Sequence, residues 1–480
     1  MNSSKATNPR PLGRRARPAR RAAKSWILAA LLAGATLPAQ QPPPHATLTL
    51  ARAVESSLKN YPAIRVSQEQ ISAASAAIRL ARTAYLPRID ALAQVNRATR
   101  NNVFGLLLPQ SVIPSMSGPV IGSDNLGSVW GSAIGGLVTW EPFDFGLRRA
   151  GVAVADAARA QAEAAGTRTR FEVAAATLDA YLTLVAAEQT ARAAQAGVDR
   201  SAIVLDTVVA QVGAQLRPGA DQSRAEAELA AARTQLIQAQ QATDVARATL
   251  SQFIAVDPEQ IAVSAGSLLD LPPEQPPAAQ NTASNPLAIE QDRAVEQARA
   301  QLRALERSYF PRFCLQASAY ARGSGAAVDG GRLGGLNGLA PNVQNYALGF
   351  SVTFPLLDLP SLRARQAEQA AAIRSQTARG FQIAVDLKAQ WNRAVADLNG
   401  ARRIAANTPV QISAARDASQ QAAARYRAGL GNIDEVAEAE RLLTQAKIDD
   451  ALARLGVWRG LLGIAAAAGD LQPFVAQASQ

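Results

Sequence analysis

The sequence predicts a mainly α-helical chain built from two copies of one unit, each unit adding two β-strands to its long helices. Three observations carry this expectation. Landmarks of the first half recur in the second, two-residue periodicity follows paired prolines, and a proline-free stretch rich in Ala, Gln, Arg and Glu runs from Leu147 to about Gly213. Composition agrees, since 48% of the 480 residues are hydrophobic but only 5% are aromatic, which suits Ala-rich helices better than bulky cores.

Residues 1–39 read as a secretory signal peptide. A basic stretch is followed by an apolar run from Trp26 to Leu32 and by small residues at Ala33, Gly34, Ala35 and Ala39. The net charge of +11 would raise nucleic-acid binding, but Lys5, Arg10, Arg14, Arg15, Arg17, Arg20, Arg21 and Lys24 all lie in this leader. Removing those eight leaves +3, and the case for a nucleic-acid partner collapses. No later segment approaches the 18 or more apolar residues of a membrane helix, so membrane insertion of the mature chain has to be by strands, as in an outer membrane. A single Cys314 permits no internal disulfide and reads as a small apolar filler. A single His45 near the leader removes Ser-His and Cys-His catalysis and His-rich metal sites. No phosphate loop, dinucleotide turn or paired catalytic carboxylates stand out, so no enzyme, cofactor or metal is expected.

The repeat is specific. Pro62, Tyr85 and Pro87 recur 224 residues later as Pro286, Tyr309 and Pro311. Val138-Thr139-Trp140 recurs as Val352-Thr353-Phe354, and Ala225-Glu226 as Ala439-Glu440, both at 214. The ten-residue slip falls in an intervening loop. The expected organisation is a first repeat at 46–256, a Pro-rich linker at 257–286 lying round the middle of the helices, a second repeat at 287–470, and a tail at 471–480.

Each repeat reads as helix, strand, long loop, strand, very long helix, break, long helix. In the first strand Ile89, Ala91, Ala93 and Val95 alternate with polar residues, and the second lies around Ser128 to Trp140. The third sets Phe313, Leu315, Ala317, Ala319 and Ala321 on one face. The fourth sets Tyr346, Leu348, Phe350, Val352 and Phe354 there. The loops 101–126 and 323–342, rich in Gly, Ser, Asn and Pro, suit exposed positions on the outside. Four strands cannot close a membrane barrel, which starts at about 8 strands, so either the sheet is soluble or several chains share one barrel. The stretch from Leu147 is long enough to reach about 100 Å. Its stripe Phe171, Ala175, Leu178, Leu182 and Val185 continues after the break as Leu229, Ala232, Leu236, Ala239, Ala246, Leu250 and Phe253, interrupted at Thr243. Ile448, Leu452, Leu455 and Leu462 repeat it in the second half.

Over roughly residues 46–470 the chain resembles the TolC family of outer-membrane efflux and secretion channels. The resemblance rests on Arg425-Tyr426-Arg427-Ala428-Gly429-Leu430, then Ile433, Glu435-Val436 and Ala439-Glu440. Val212-Gly213, Ala220-Asp221 and Arg224 to Leu229 are the weaker counterpart. The strand-to-helix passages Thr139 to Gly146 and Thr353 to Asp358 are similar to the family's proline-aromatic-aspartate turn.

This resemblance implies a homotrimer in the outer membrane of a Gram-negative cell. Each copy would give four strands to a twelve-stranded barrel in lipid and its helices to a long coiled-coil tube in the periplasm. It implies a passive exit duct for efflux or type I secretion, served by a periplasmic adaptor and an inner-membrane transporter. Gly213, Arg217, Asp221, Tyr426, Gly429, Leu430 and Ile433 would form the adaptor-docking tip, with Asp221, Arg425, Glu435 and Glu438 as aperture candidates. Glycines at 213 and 429 suit tight turns. Asp221 and Glu435, 214 apart, suit both a helix start and an acidic ring. The first tip departs from the pattern through an insertion, Arg217-Pro218-Gly219, and the second through Gly431, where some members place a basic residue. A soluble periplasmic coiled-coil scaffold or adaptor is the alternative reading.

Overall fold

The computed structural model describes residues 47–99, 127–274, 282–327 and 331–479. The leader and the loop at 101–126 lie outside the described residues. Helices α1 (Leu50–Asn60) and α2 (Pro62–Thr83) lead into strand β1 (Arg88–Thr99), β2 (Ser128–Phe143), α3 (Leu147–Gly213) and α4 (Gly219–Ile254). The second half follows with α5 (Pro286–Arg307), β3 (Arg312–Ser324), β4 (Val343–Thr353), α6 (Leu359–Arg427), α7 (Ile433–Ala468) and a short α8 (Gln472–Ala478). Counterparts match in length: 22 residues for α2 and α5, 67 and 69 for α3 and α6, 36 for α4 and α7.

Local chemistry sets the boundaries. Proline opens both α2 and α5, where its missing N–H costs nothing, and the Asn285 side chain accepts from Leu287 N at 3.0 Å. At the β2–α3 passage, the Asp144 carboxylate accepts from Gly146 N at 3.1 Å and Arg148 N at 2.6 Å, capping α3, and pairs with the Arg148 guanidinium at 2.9 Å.

The strands form one antiparallel sheet in the order β1-β2-β3-β4, with β2 joining β3 across the repeats. The register aligns Ile89 with Val138, Val138 with Ala317, and Ala317 with Leu348, so the predicted apolar residues share one continuous face. That face is bare: Ile89, Tyr346, Leu348 and Phe350 are 72, 88, 74 and 64% exposed. The other face carries Arg88, Asp90, Gln94, Thr139, Gln316 and Arg322, together with the half-buried free Cys314. Gly135 is required by close approach, because a Cβ there would meet Tyr320 Cβ and Ala319 O at 2.4 Å. Gly323 and Ser324, expected in the second loop, continue β3 instead.

The helices pack side by side. The N-terminal half of α3 lies between α2 and α5, its C-terminal half between α4 and α7, and α6 flanks α5 and α7. The core concentrates at mid-α3, where Leu178, Tyr181, Leu182, Leu184 and Val185 are buried with Leu250, Leu455 and Trp458. Tyr181 is fully buried and directs its hydroxyl at the carbonyls of Leu48 (2.8 Å) and Ser264 (2.6 Å), pinning residues on either side of the repeat to the middle of α3. Thr243, the interruption in the α4 stripe, is buried with its hydroxyl bonded to Ala239 O at 2.9 Å.

Two expectations need correction. Leu452, placed on the α7 stripe, is 43% exposed while Ile448, Leu455 and Leu462 are buried. A stretch of α7 also reaches a mean hydropathy of 1.3, enough by composition alone to cross a membrane. Half of it is buried in the helical layer, where Val457, Trp458 and Ile464 pack against other helices, so its apolarity serves the core.

Candidate functional site

The turns joining α3 to α4 and α6 to α7 lie side by side, and their backbones are alike. Ala214 and Ala428 cap the long helices, and Gln215 (φ 62°) and Gly429 (φ 75°) follow in the left-handed region. Gln215 N bonds Val212 O at 2.9 Å and Leu216 N bonds Gln211 O at 2.9 Å. Gly429 N bonds Tyr426 O at 3.1 Å and Leu430 N bonds Arg425 O at 2.9 Å. Both are Schellman turns that satisfy the last carbonyls of a helix.

This alters the sequence reading twice. Arg217-Pro218-Gly219 is no insertion, because α3 and α6 end, and α4 and α7 begin, at residues 214 apart. Gly213 does not occupy the tight turn either. It is the last residue of α3, and the left-handed position falls to Gln215, the true counterpart of Gly429.

The side chains differ where the backbones agree. Tyr426, at the end of α6, is 3% exposed and packs with Val208, Ala225, Ile433 and Val436. Its hydroxyl donates to Asp221 Oδ2 at 3.0 Å, and Arg217 lies over its ring at 4.3 Å. Burial, and then the bond to Asp221, push the phenol up to about 12. Arg217 Nη2 also donates to Tyr426 O at 2.7 Å and Gly431 O at 3.1 Å, so the first turn grips the second. The counterpart of Arg217 is Gly431. There a Cβ would come within 3.2 Å of Glu435 Oε2 and 3.3 Å of Arg425 Cβ.

The carboxylates related by 214 residues are therefore not equivalent. Asp221 is held under Tyr426, whereas the exposed Glu435 stands 3.8 Å from Arg425, with its backbone N–H on the Asn432 cap at 2.9 Å. Glu438, one turn on, is exposed and paired with Arg441. Ile433 is buried in the tip cluster, and Leu430 is 75% exposed.

Sequence reasoning missed three features of this end. Leu216, the counterpart of Leu430, is 73% exposed, so each turn presents one bare leucine. Carrying the offset of 214 through the turn would have found it. Arg224 bridges the hairpins to Asp434 at 3.0 Å. Arg200, on α3, meets Glu440 and Thr444 of α7 at 2.6 Å each, while Ser419 of α6 donates to the same Glu440 at 2.5 Å. No spacing in the sequence marks such contacts between distant helices.

A sheet with a bare apolar face, joined to helices of 67 and 69 residues, is the fold of outer-membrane channel subunits of solved structure. The solved structure of the outer-membrane channel OprN superposes at TM-score 0.68 with 21% identity, over 88% of this chain and 89% of that one. The Campylobacter jejuni CmeC outer membrane channel gives 0.69 and 13%, over 88% and 85%. The outer membrane protein VceC of Vibrio cholerae gives 0.66 and 16%, over 88% and 96%. The family profile for outer membrane efflux proteins matches residues 53–256 and 280–470, and the chain belongs to that family. No curated protein sequence matches it.

Proposed function

We propose that three copies of this outer-membrane efflux protein close a twelve-stranded barrel and form the passive exit duct of a tripartite efflux or type I secretion system. The observation that supports this most is the open sheet. Its edge strands β1 and β4 have no partner among the described strands, and its apolar face is uncovered. In water such edges and such a face are a liability; in a ring of copies within lipid both are satisfied. The helical tube then extends into the periplasm, where an inner-membrane transporter delivers substrate through a periplasmic adaptor. The duct itself performs no chemistry.

In this reading the paired turns are the periplasmic tip. Leu216 and Leu430 offer the adaptor apolar contacts beside Arg217, Tyr426, Gly429 and Ile433, with Asp221 and Gly213 behind them. The exposed Glu435 and Glu438, with Arg425, face the aperture.

Two experiments test the proposal. Leu348→Lys on the bare face should cost about 2–4 kcal/mol of insertion and deplete the protein from outer-membrane fractions. A wild-type protein that is monomeric, soluble without detergent and absent from those fractions would refute the duct. Gly429→Pro and Glu435→Lys should impair efflux while the trimer persists, and unchanged efflux from both would reject the docking role.

A further inference from the structure

An open pocket of about 540 Å³ lies where the sheet meets the helices, between the start of α3 and the end of α5. Phe143, Phe145, Arg149, Ala300, Arg303 and Arg307 line it. Three guanidiniums thus converge on one cavity. None of them makes an ion pair among the described residues, although most arginines of α3 are paired with carboxylates. Arg303 and Arg307 are exposed, one turn apart on α5, and Arg149 is exposed on the first turn of α3.

The pocket is continuous with the bare face of the sheet. Phe145 stacks on Phe310 at 5.3 Å and meets Phe143 at 4.6 Å. Phe143 and Phe145 each lie 6.0 Å from Phe313, which lies 6.1 Å from Phe350. Arg307 sits 5.7 Å over the Phe310 ring, as a cation does at the boundary between an apolar and a charged layer. Both walls are interior to the helical layer, α3 lying between α2 and α5, and α5 between α3 and α6. Neighbouring copies in a ring would meet edge helices and leave this pocket open.

We propose that the pocket binds the phosphate of an anionic phospholipid in the periplasmic leaflet, with the acyl chains lying along Phe143, Phe313 and Phe350. Arg149, Arg303 and Arg307 supply the charge and the forked donors that phosphate oxygens take. A row of aromatic rings carries the apolar part of the same molecule. The proposal rests on the reading that the bare face meets lipid. It adds that the barrel selects a headgroup at its periplasmic rim.

The test uses the detergent-purified full-length protein, titrated with phosphatidylglycerol or phosphatidylethanolamine and read by native mass spectrometry. Wild type should retain phosphatidylglycerol preferentially. Arg303→Gln should weaken retention about fivefold, and the triple change of Arg149, Arg303 and Arg307 to Gln about a hundredfold. The triple change to Lys should keep most of it, and Arg374→Gln with Arg379→Gln on α6 should change nothing. Equal retention of the two lipids, or retention unaffected in Arg303→Gln and in the triple Gln variant, overturns the site. Displacement of phosphatidylglycerol by an equal concentration of inorganic phosphate overturns the lipid as its source. Outer-membrane fractionation of wild type separates the two failures: a protein in the membrane without headgroup preference loses only this site, whereas one outside it loses the duct as well.

Discussion

The turn after α3 and the turn after α6 share a backbone, hydrogen bond for hydrogen bond, yet differ in what holds them. The second relies on permissive residues. Gly429 takes the left-handed position without strain, Gly431 leaves room for Arg425 and Glu435, and Asn432 caps α7. The first accepts a strained Gln215 and an N-cap, Pro218, that makes no side-chain bond, but it sends Arg217 across to its partner. Duplication preserved the geometry, and divergence made one hairpin the clasp and the other the seat. The pair is thus one unit, in which loosening either turn should loosen both.

Tyr426→Ala should break that unity most, because it removes the buried ring under Arg217 and the partner of Asp221. We expect a loss of about 3 kcal/mol, with hydrogen-exchange protection falling in both turns. A loss confined to the end of α6 would show that the hairpins are independent. Arg217→Ala removes the clasp but leaves the seat packed, costing about 2 kcal/mol, and amides at Leu216 and Leu430 should exchange faster together.

Exchanging the left-handed residues probes each turn alone. Gln215→Gly should stabilise the first by about 1 kcal/mol, and Gly429→Gln should weaken the second by a similar amount, each read by local exchange. Equal effects of the same sign would mean that strain at Gln215 is not real.

The smallest effect is alkaline. The folded state holds the Tyr426 proton more tightly than the unfolded chain, whose phenol titrates near 10, so its stabilising contribution is complete below about pH 10. It is lost as pH rises towards about 12. The tip should therefore loosen over that window in wild type and much less in Tyr426→Phe. A profile identical in the two would show that the phenol is not responsible.

How far the sequence could be read depended on whether a feature was local. Strands β1, β3 and β4 were legible because the apolar residues of one face alternate with those of the other, and α3 because no proline interrupts it. The α6 helix runs on through Pro409, whose missing N–H leaves Ala405 O without its usual partner; the Thr408 hydroxyl lies 3.4 Å from that carbonyl and 2.6 Å from Asp450, 42 residues away. At the tip, Tyr426, Gly429 and Asp221 were visible as motif residues. Gln215 was not, since nothing in a glutamine announces a positive φ; the backbone register imposes it.

By itself the sequence determined export, duplication, the helical and strand periods and the family, because each is written in residue type or in spacing along the chain. Tertiary structure decided the rest. Only the sheet register could show that four apolar stripes share one bare face, and only the packing of distant helices could place Arg217 over Tyr426 and gather Arg149, Arg303 and Arg307 around one pocket. These depend on distances between residues far apart in the chain, which periodicity does not encode.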